Sequence, residues 1–444
     1  MRTVAFYTLG CKVNQYETEA MKGLFVKNGD TVVPPEEKAD IYVINTCTVT
    51  SVGDKKSRQF IRRAKRLNEN AIVAVVGCYA QIAPDEVMAL DGVNLVLGTD
   101  GRHKIVAFLS HIKATDKVKE VGDIMDTHDF EELEIDAVSD KTRVFLKVQE
   151  GCNQFCSYCI IPYARGNIRS RQPFNVLKEV ERVVAHGFKE VVLTGIHLAS
   201  YGKDLGNISL ADLIEGIHDV PGLERIRLGS LEPLLIDATF MQRLKSLPKV
   251  CDQFHLSLQS GCDSTLKRMN RRYNTKQYSD AVRLIREVYP LAGITTDVIV
   301  GFPGETDGEF EETLSFVKGI GFSQMHVFPY SKREGTKAYY MPDQVPDLIK
   351  QKRADILGQV GQVLQAHYLH QFIDQTVAIL VEGAETATES ESVKGLTPQH
   401  VEVICALAPS SASTNMEIKQ QSVVLVKIRA VDAGRNCLLG VPVQ

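Results

Sequence analysis

Three cysteines stand together in the run EGCNQFCSYC, where Cys152, Cys156 and Cys159 are separated by three and then two residues. Thiolates are soft ligands for iron, and three of them on one short loop can hold three corners of a 4Fe-4S cluster. The fourth iron then stays open to a ligand from a substrate. A zinc loop is the competing use of such spacing, but zinc sites normally draw on two Cys pairs or on added histidines.

A second set is less obvious in one dimension. Cys11 in LGC, Cys47 in NTC and Cys78 in GC each follow the end of a different predicted strand. In a doubly wound sheet those strand ends share one edge, so three distant cysteines converge on a second cluster site. The plain alternative is three unrelated buried cysteines, since a free Cys packs as a small apolar residue. Equivalent positions after three successive strands weigh against it. Cys251, Cys262, Cys405 and Cys437 have no such spacing and are assigned to packing.

These loops need elements to carry them. From Met1 to about residue 112, short β-branched runs alternate with amphipathic stretches, the pattern of βαβ units around a parallel sheet. Strands are predicted at Thr3–Tyr7, Asp40–Asn45, Ala71–Val76 and Asn94–Leu97, with helices at Gln15–Asn28, closed by Gly29, and Asp54–Leu67. Residues 113–140, which include HDFEELEID, are polar and aperiodic and are expected to form a linker.

From 141 to 372 the alternation resumes. Strands near Val144–Val148, Glu190–Leu193, Arg225–Leu228, His255–Leu258, Thr296–Val300 and Met325–Phe328 suggest six strand–helix units in a partial TIM-like (β/α)6 barrel, braced by a helix over Pro346–Phe372. The chain from 373 to 444 changes character, with VAILVEG, VEVICAL and SVVLVKIRAV set between polar segments and a Ser-rich loop at Pro409–Thr414. It is expected to close into a small antiparallel β-barrel. The fold class is therefore α/β, with three regions in series.

A chain of 444 residues with 44% hydrophobic and 24% charged residues is ordinary for a globular protein of several domains. It holds no apolar run long enough to cross a bilayer, and its start, MRTVAFYTLG, lacks a signal-peptide pattern, so a cytoplasmic location is expected. In that reducing compartment ten cysteines point to metal ligands or packing rather than disulfides. A formal net charge of −4 excludes a protein that coats nucleic acid indiscriminately.

The loop EGCNQFCSYC resembles the signature of the radical S-adenosylmethionine superfamily, with Tyr158 at the aromatic position before the last cysteine. Taken with TLGCKVNQYE, INTCTVT, GCYAQ and EGCNQFCSYCIIPYARG, the whole chain resembles the radical S-adenosylmethionine methylthiotransferases. That resemblance implies an N-terminal domain with an auxiliary 4Fe-4S cluster on Cys11, Cys47 and Cys78, a radical barrel with a second cluster on Cys152, Cys156 and Cys159, and a C-terminal TRAM barrel that recognises the substrate. It implies S-adenosylmethionine as both methyl donor and radical source. GCKVN, NTCTVT and HVFPYSKREGT are similar to the branch acting on N6-threonylcarbamoyladenosine in tRNA, where the methylthio group enters at carbon 2 of the adenine. The implied partners are tRNA, a low-potential electron donor such as flavodoxin, and the iron–sulfur assembly machinery, with no membrane.

Barrel active sites lie at the C-terminal ends of strands, which nominates Thr194, Gly195, Ser230, Glu232, Ser257, Gln259 and Gly301 for cofactor binding. By resemblance, Thr194 with Gly195 meets the methionine amino group, Glu232 the ribose and the VGFPGET turn at Gly301 the adenine. Arg271 could pair with the methionine carboxylate through its guanidinium fork. His197 is taken as a structural polar residue.

For RNA, the helix DKKSRQFIRRAKRL sets Lys55, Arg58, Arg62, Lys65 and Arg66 mostly away from its apolar side. Arg165, Arg169 and Arg171 are expected at the mouth of the active site. Competing functions are the same chemistry on isopentenyladenosine tRNA or a ribosomal protein, or an iron–sulfur RNA-binding or redox sensor without turnover.

Overall fold

The computed structural model describes residues 1–48, 51–135, 142–385, 392–406 and 420–443. The first sheet is wholly parallel. Its strands β1 (Thr3–Thr8), β2 (Thr31–Val33), β3 (Ile41–Thr46), β4 (Ile72–Gly77), β5 (Leu95–Leu97) and β6 (Val118–Glu120) lie in the order β2-β1-β3-β4-β5-β6. The central strands IYVINT and IVAVVG are almost completely buried, as a parallel sheet covered on both faces requires. One face packs Ala5 and Tyr7 against Ile61 and Ala64 of the helix Ser51–Leu67; the other packs Val4 and Phe6 against Met21 and Phe25 of the helix Lys12–Lys27. This is the doubly wound arrangement expected. The strands β2 and β6 escaped prediction because each is three residues long and largely unburied.

The second region contains β7 (Arg143–Glu150), β8 (Arg169–Ser170), β9 (Glu190–Gly195), β10 (Arg225–Leu228), β11 (Ser230–Leu231), β12 (Gln253–Leu256), β13 (Gly293–Val300) and β14 (Gln324–Pro329). They form two four-stranded sheets, β10-β9-β7-β8 and β11-β12-β13-β14, joined where the chain bends at Gly229. Apart from the short antiparallel β8, every pairing is parallel. On β7 the alternation is plain: Val144, Leu146 and Val148 meet Val176, Val180 and Val183 of the helix Pro173–Ala185, leaving Phe145, Lys147 and Gln149 to face the lumen. The helix Asp347–His370 packs against β14 and braces the open side.

The C-terminal strands β15 (Thr376–Glu385), β16 (Ser392–Leu396), β17 (Glu402–Ala406), β18 (Val423–Asp432) and β19 (Cys437–Pro442) close into a barrel in the order β15-β16-β17-β19-β18. All pairs are antiparallel except β17 with β19. An odd ring of strands cannot alternate direction all the way round, so one parallel pair is forced. The predicted loop at Pro409–Thr414 lies outside the described residues.

The acidic stretch is anchored rather than solvated. Glu131 meets Arg102 at 2.8 Å, Glu132 meets Arg171 at 2.7 Å and Glu134 meets Arg182 at 2.6 Å, so the segment is stitched to both of the flanking regions. Residues 136–140 of the same stretch lie outside the described residues.

Candidate active site

Cys11 caps the helix Lys12–Lys27, Cys47 follows β3 and Cys78 follows β4, all at the C-terminal edge of the first sheet. The loops touch: a Cβ added at Gly10, whose φ is +100°, would fall 2.9 Å from Sγ of Cys47. Only glycine allows both that backbone and that approach. Asn14 clamps the edge by donating to the carbonyls of Leu9 at 2.7 Å and Thr46 at 2.9 Å, and Asn45 donates to the carbonyl of Asn14 at 3.0 Å. Neither asparagine was singled out from sequence, although each lies within three residues of a cysteine.

Cys152, Cys156 and Cys159 share the loop that leaves β7. Gly151 begins it with φ of +73°, and any Cβ there would sit 1.7 Å from the carbonyl oxygen of Asn167. The amide of Cys159 donates to the carbonyl of Cys156 at 2.9 Å, a turn that brings these two residues close together. Burial pushes the Cys152 thiol up to about 11, and Cys159 and Cys78 up to about 12. Without iron these groups are protonated thiols, and each releases its proton on ligation.

Among the described residues no three Cys, His, Asp or Glu side chains converge tightly enough to hold a single ion.

At the rim, Arg271 donates to Sγ of Cys156 at 3.2 Å and lies 3.6 Å from Glu232, which is 3.2 Å from Nε2 of His197. Burial would raise the Glu232 carboxyl, but the neighbouring His197 and Arg271 hold it below its usual range. His197 therefore orients a site carboxylate.

A cavity of about 270 Å³ opens beside Cys159, lined by Tyr158, Gln259, Asp297, Ile299, Phe328 and Tyr330. Thr194 is buried at the end of β9 and Gly195 packs on Gln149. Ser257 and Tyr273 are joined through the Ser257 carbonyl, and the amide of Gly301 is capped by Glu305. Ser230 is exposed on β11.

The arginines after the radical loop correct the sequence reading. Arg165, Arg169 and Arg171 are at most 2% exposed and point inward, where no phosphate can reach them. Arg171 pairs with Glu132 and Glu179, and Arg169 donates to the Arg165 carbonyl at 3.0 Å. Arg165 donates to Sγ of Cys78 at 3.1 Å and to Glu17 and Asn14 at 2.6 Å each. It belongs to a sealed cluster in which Glu17, Glu131 and Glu150 face Arg102, Lys147 and Arg165. Of the basic helix, Arg58 is engaged with Tyr79 and Glu86 and Lys65 with the Ala71 carbonyl, while Lys55, Arg62 and Arg66 are exposed.

No helix among the described residues is long and apolar enough to cross a membrane. Residues 3–98 match the uncharacterized protein family UPF0004, and residues 146–317 match the radical SAM superfamily. The fold is similar to that of the radical S-adenosylmethionine methyltransferase TsrM of Kitasatospora setae, with a TM-score of 0.56 at 15% identity over 76% of this chain and 77% of that one. The chain is 35% identical to a tRNA-2-methylthio-N(6)-dimethylallyladenosine synthase of Clostridium botulinum (strain Langeland) over 86% of this chain and 87% of that protein. It is 44% identical to the threonylcarbamoyladenosine tRNA methylthiotransferase MtaB of Bacillus subtilis (strain 168) over 91% of this chain and 90% of that protein. With two thiol triads on adjoining sheets and this likeness along nearly its whole length, the chain belongs to the radical S-adenosylmethionine methylthiotransferases, in their MtaB-type branch.

Proposed function

We propose that this enzyme adds a methylthio group to carbon 2 of N6-threonylcarbamoyladenosine next to the anticodon of tRNA. The observation that carries the reading is the meeting of two thiol triads across one buried cluster, since β7 ends at the radical loop and the same cluster reaches Cys78 through Arg165. When bound, the two 4Fe-4S clusters and S-adenosylmethionine supply the electron, the adenosyl radical and the sulfur that an unactivated aromatic C–H demands.

The chain's own residues hold and orient. Cys152, Cys156 and Cys159 are assigned to the radical cluster, and Cys11, Cys47 and Cys78 to the auxiliary one. The cavity by Tyr158 and Gln259 takes the adenosyl part of S-adenosylmethionine, with Glu232 at the ribose and the turn at Gly301 at the adenine, while Thr194 with Gly195 receives the methionine amino group and Ser257 stands at a neighbouring strand end. Arg271, fixed between Cys156 and Glu232, sets the orientation of both. Exposed Arg62 and Arg66, with Arg58 at their edge, offer phosphate contacts beside the Cys47 loop. The exposed side of β15 and β18 in the C-terminal barrel gives the RNA a second handle. A low-potential donor such as flavodoxin delivers the electron, and iron–sulfur assembly proteins load the chain; both belong to the cytoplasm.

Anaerobically reconstituted protein, given reductant, sulfide, S-adenosylmethionine and tRNA lacking the methylthio group, tests this through nucleoside mass spectrometry. A 2-methylthio product on threonylcarbamoyladenosine is the expected result. Product on dimethylallyladenosine alone would move the substrate to that of the Clostridium relative, and 5′-deoxyadenosine without any modified nucleoside would send the search to a protein target.

A further inference from the structure

The residue after Cys11 is a lysine, and its placement is unusual. By register, Phe145 of β7, Val192 of β9 and Arg227 of β10 form one layer of the barrel lumen. Lys12 enters that layer from the first turn of the helix Lys12–Lys27, with Nζ 5.9 Å from the centre of the Phe145 ring. The charges that act on it are those of Arg227, Arg143 and Glu190.

The other cations of this part of the lumen are occupied. Arg227 donates to Glu190 at 2.8 Å and to the Pro398 carbonyl at 2.7 Å. Arg225 donates to the carbonyls of Leu396 at 2.7 Å and Ala378 at 2.9 Å, and Arg143 pairs with Glu382. Asp252 accepts from Gln399 at 2.6 Å. Among the described residues Lys12 makes no ion pair and has the Phe145 ring beside its ammonium. Lys12 is itself solvent-accessible, and its ammonium beside the Phe145 ring would gain more from an anion once a bound substrate excludes water there than it does in bulk water.

We propose that Lys12 is a specificity-determining residue that receives the carboxylate of the threonylcarbamoyl group. The inference rests on the substrate proposed above and deepens it. Threonylcarbamoyl carries a free carboxylate, whereas dimethylallyl is neutral and apolar. The same lysine that pairs with the first would be left desolvated and unpaired by the second, so one residue both attracts the right base and penalises the wrong one. Its position next to Cys11 ties recognition of the N6 substituent to the thiol edge where sulfur is handled.

The test is equilibrium binding of the full chain, with clusters loaded and without reductant, to anticodon stem-loop RNAs that differ only at the target adenosine. Wild-type protein is expected to bind threonylcarbamoyladenosine RNA roughly tenfold or more tightly than unmodified RNA. In K12M that ratio falls to near one, and K12R keeps most of it. An RNA whose threonyl carboxylate is converted to a neutral methylamide should lose the same factor against wild-type protein and lose nothing further against K12M, which requires no folded variant beyond one. A K12M ratio equal to wild type, or a methylamide RNA bound as tightly as the acid, would overturn the proposal while leaving the activity intact. A wild-type protein that modifies dimethylallyladenosine RNA and ignores the carboxylate would instead remove the substrate assignment itself.

Discussion

Arg165 donates from Nε to the sulfur of Cys78 at 3.1 Å while its terminal nitrogens reach Glu17 and Asn14 at 2.6 Å each. One guanidinium from the radical barrel thus holds a thiol and two side chains of the first sheet. Arginine suits this place because its planar fork stays charged and makes several directed bonds at once.

Removing that guanidinium should be costly. Arg165→Met leaves Glu17 and Glu150 facing fewer cations in a sealed space, and an uncompensated buried charge costs on the order of 3–5 kcal/mol. Denaturant unfolding of the apoprotein should show that loss, and loaded protein should lose auxiliary-cluster iron first, seen as a fall in iron content with the radical cluster's spectrum retained. A variant with unchanged midpoint and iron content would show the network to be dispensable.

Glu131 gives the cluster a pH signature. Burial alone would raise its carboxyl, but Arg102 and the hydrogen bond from His103 prevail and hold it at about 2. A depressed carboxylate stabilises the fold above its unfolded pKa, near 4.3, and that contribution disappears as pH falls toward 2; about 2–3 kcal/mol is at stake. Unfolding midpoints measured from pH 5.5 to pH 3 should drop more steeply for wild type than for Glu131→Gln, and parallel curves would refute the assignment.

The two triads should separate in function. Cys152→Ala is expected to abolish 5′-deoxyadenosine formation, whereas Cys78→Ala should keep S-adenosylmethionine cleavage and lose the methylthio product. Each should bind about half of the wild-type iron, as counted by chemical analysis. Equal loss of cleavage in both variants would mean that the clusters are not independent.

Arg271 offers a narrower test. Arg271→Lys retains a charge but cannot bridge Cys156, Tyr273 and Glu232 together. Uncoupled or slowed cleavage of S-adenosylmethionine by at least tenfold is expected, with radical-cluster absorbance preserved; a wild-type rate would limit Arg271 to packing.

The placement of the six cysteines was legible in the sequence because three share one short loop and because runs such as IYVIN announce strands whose ends, each followed by a cysteine, must lie along one edge. What stayed hidden depends on pairings across the chain. Glu17 sits in an ordinary helical pattern, and nothing local says that Arg102, Arg165 and Lys147 converge on it from 85 to 148 residues away. For the same reason Arg165, Arg169 and Arg171 looked like a surface for RNA: a basic residue is assumed to face water until its acid is found. The acidic stretch holding Glu131 and Glu132 looked like a linker because its partners lay elsewhere. The strands β16 and β19 were missed because Gly395 and Gly440 interrupt their apolar alternation.

The turn at Thr397–His400 bears on how this protein can be divided. Its carbonyls accept from Arg227, Gln399 reaches Asp252, and a Cβ added at Gly293 would strike the Gln399 backbone at 2.4 Å. The C-terminal barrel is thereby the base plate of the catalytic one. A chain cut after the helix Asp347–His370 would lose more than a grip on RNA: water would enter the lumen from beneath, and Arg225 and Arg227 would be left without the carbonyls that now receive them. Exchanging C-terminal barrels between relatives would, by the same logic, transplant part of the reaction chamber along with the handle.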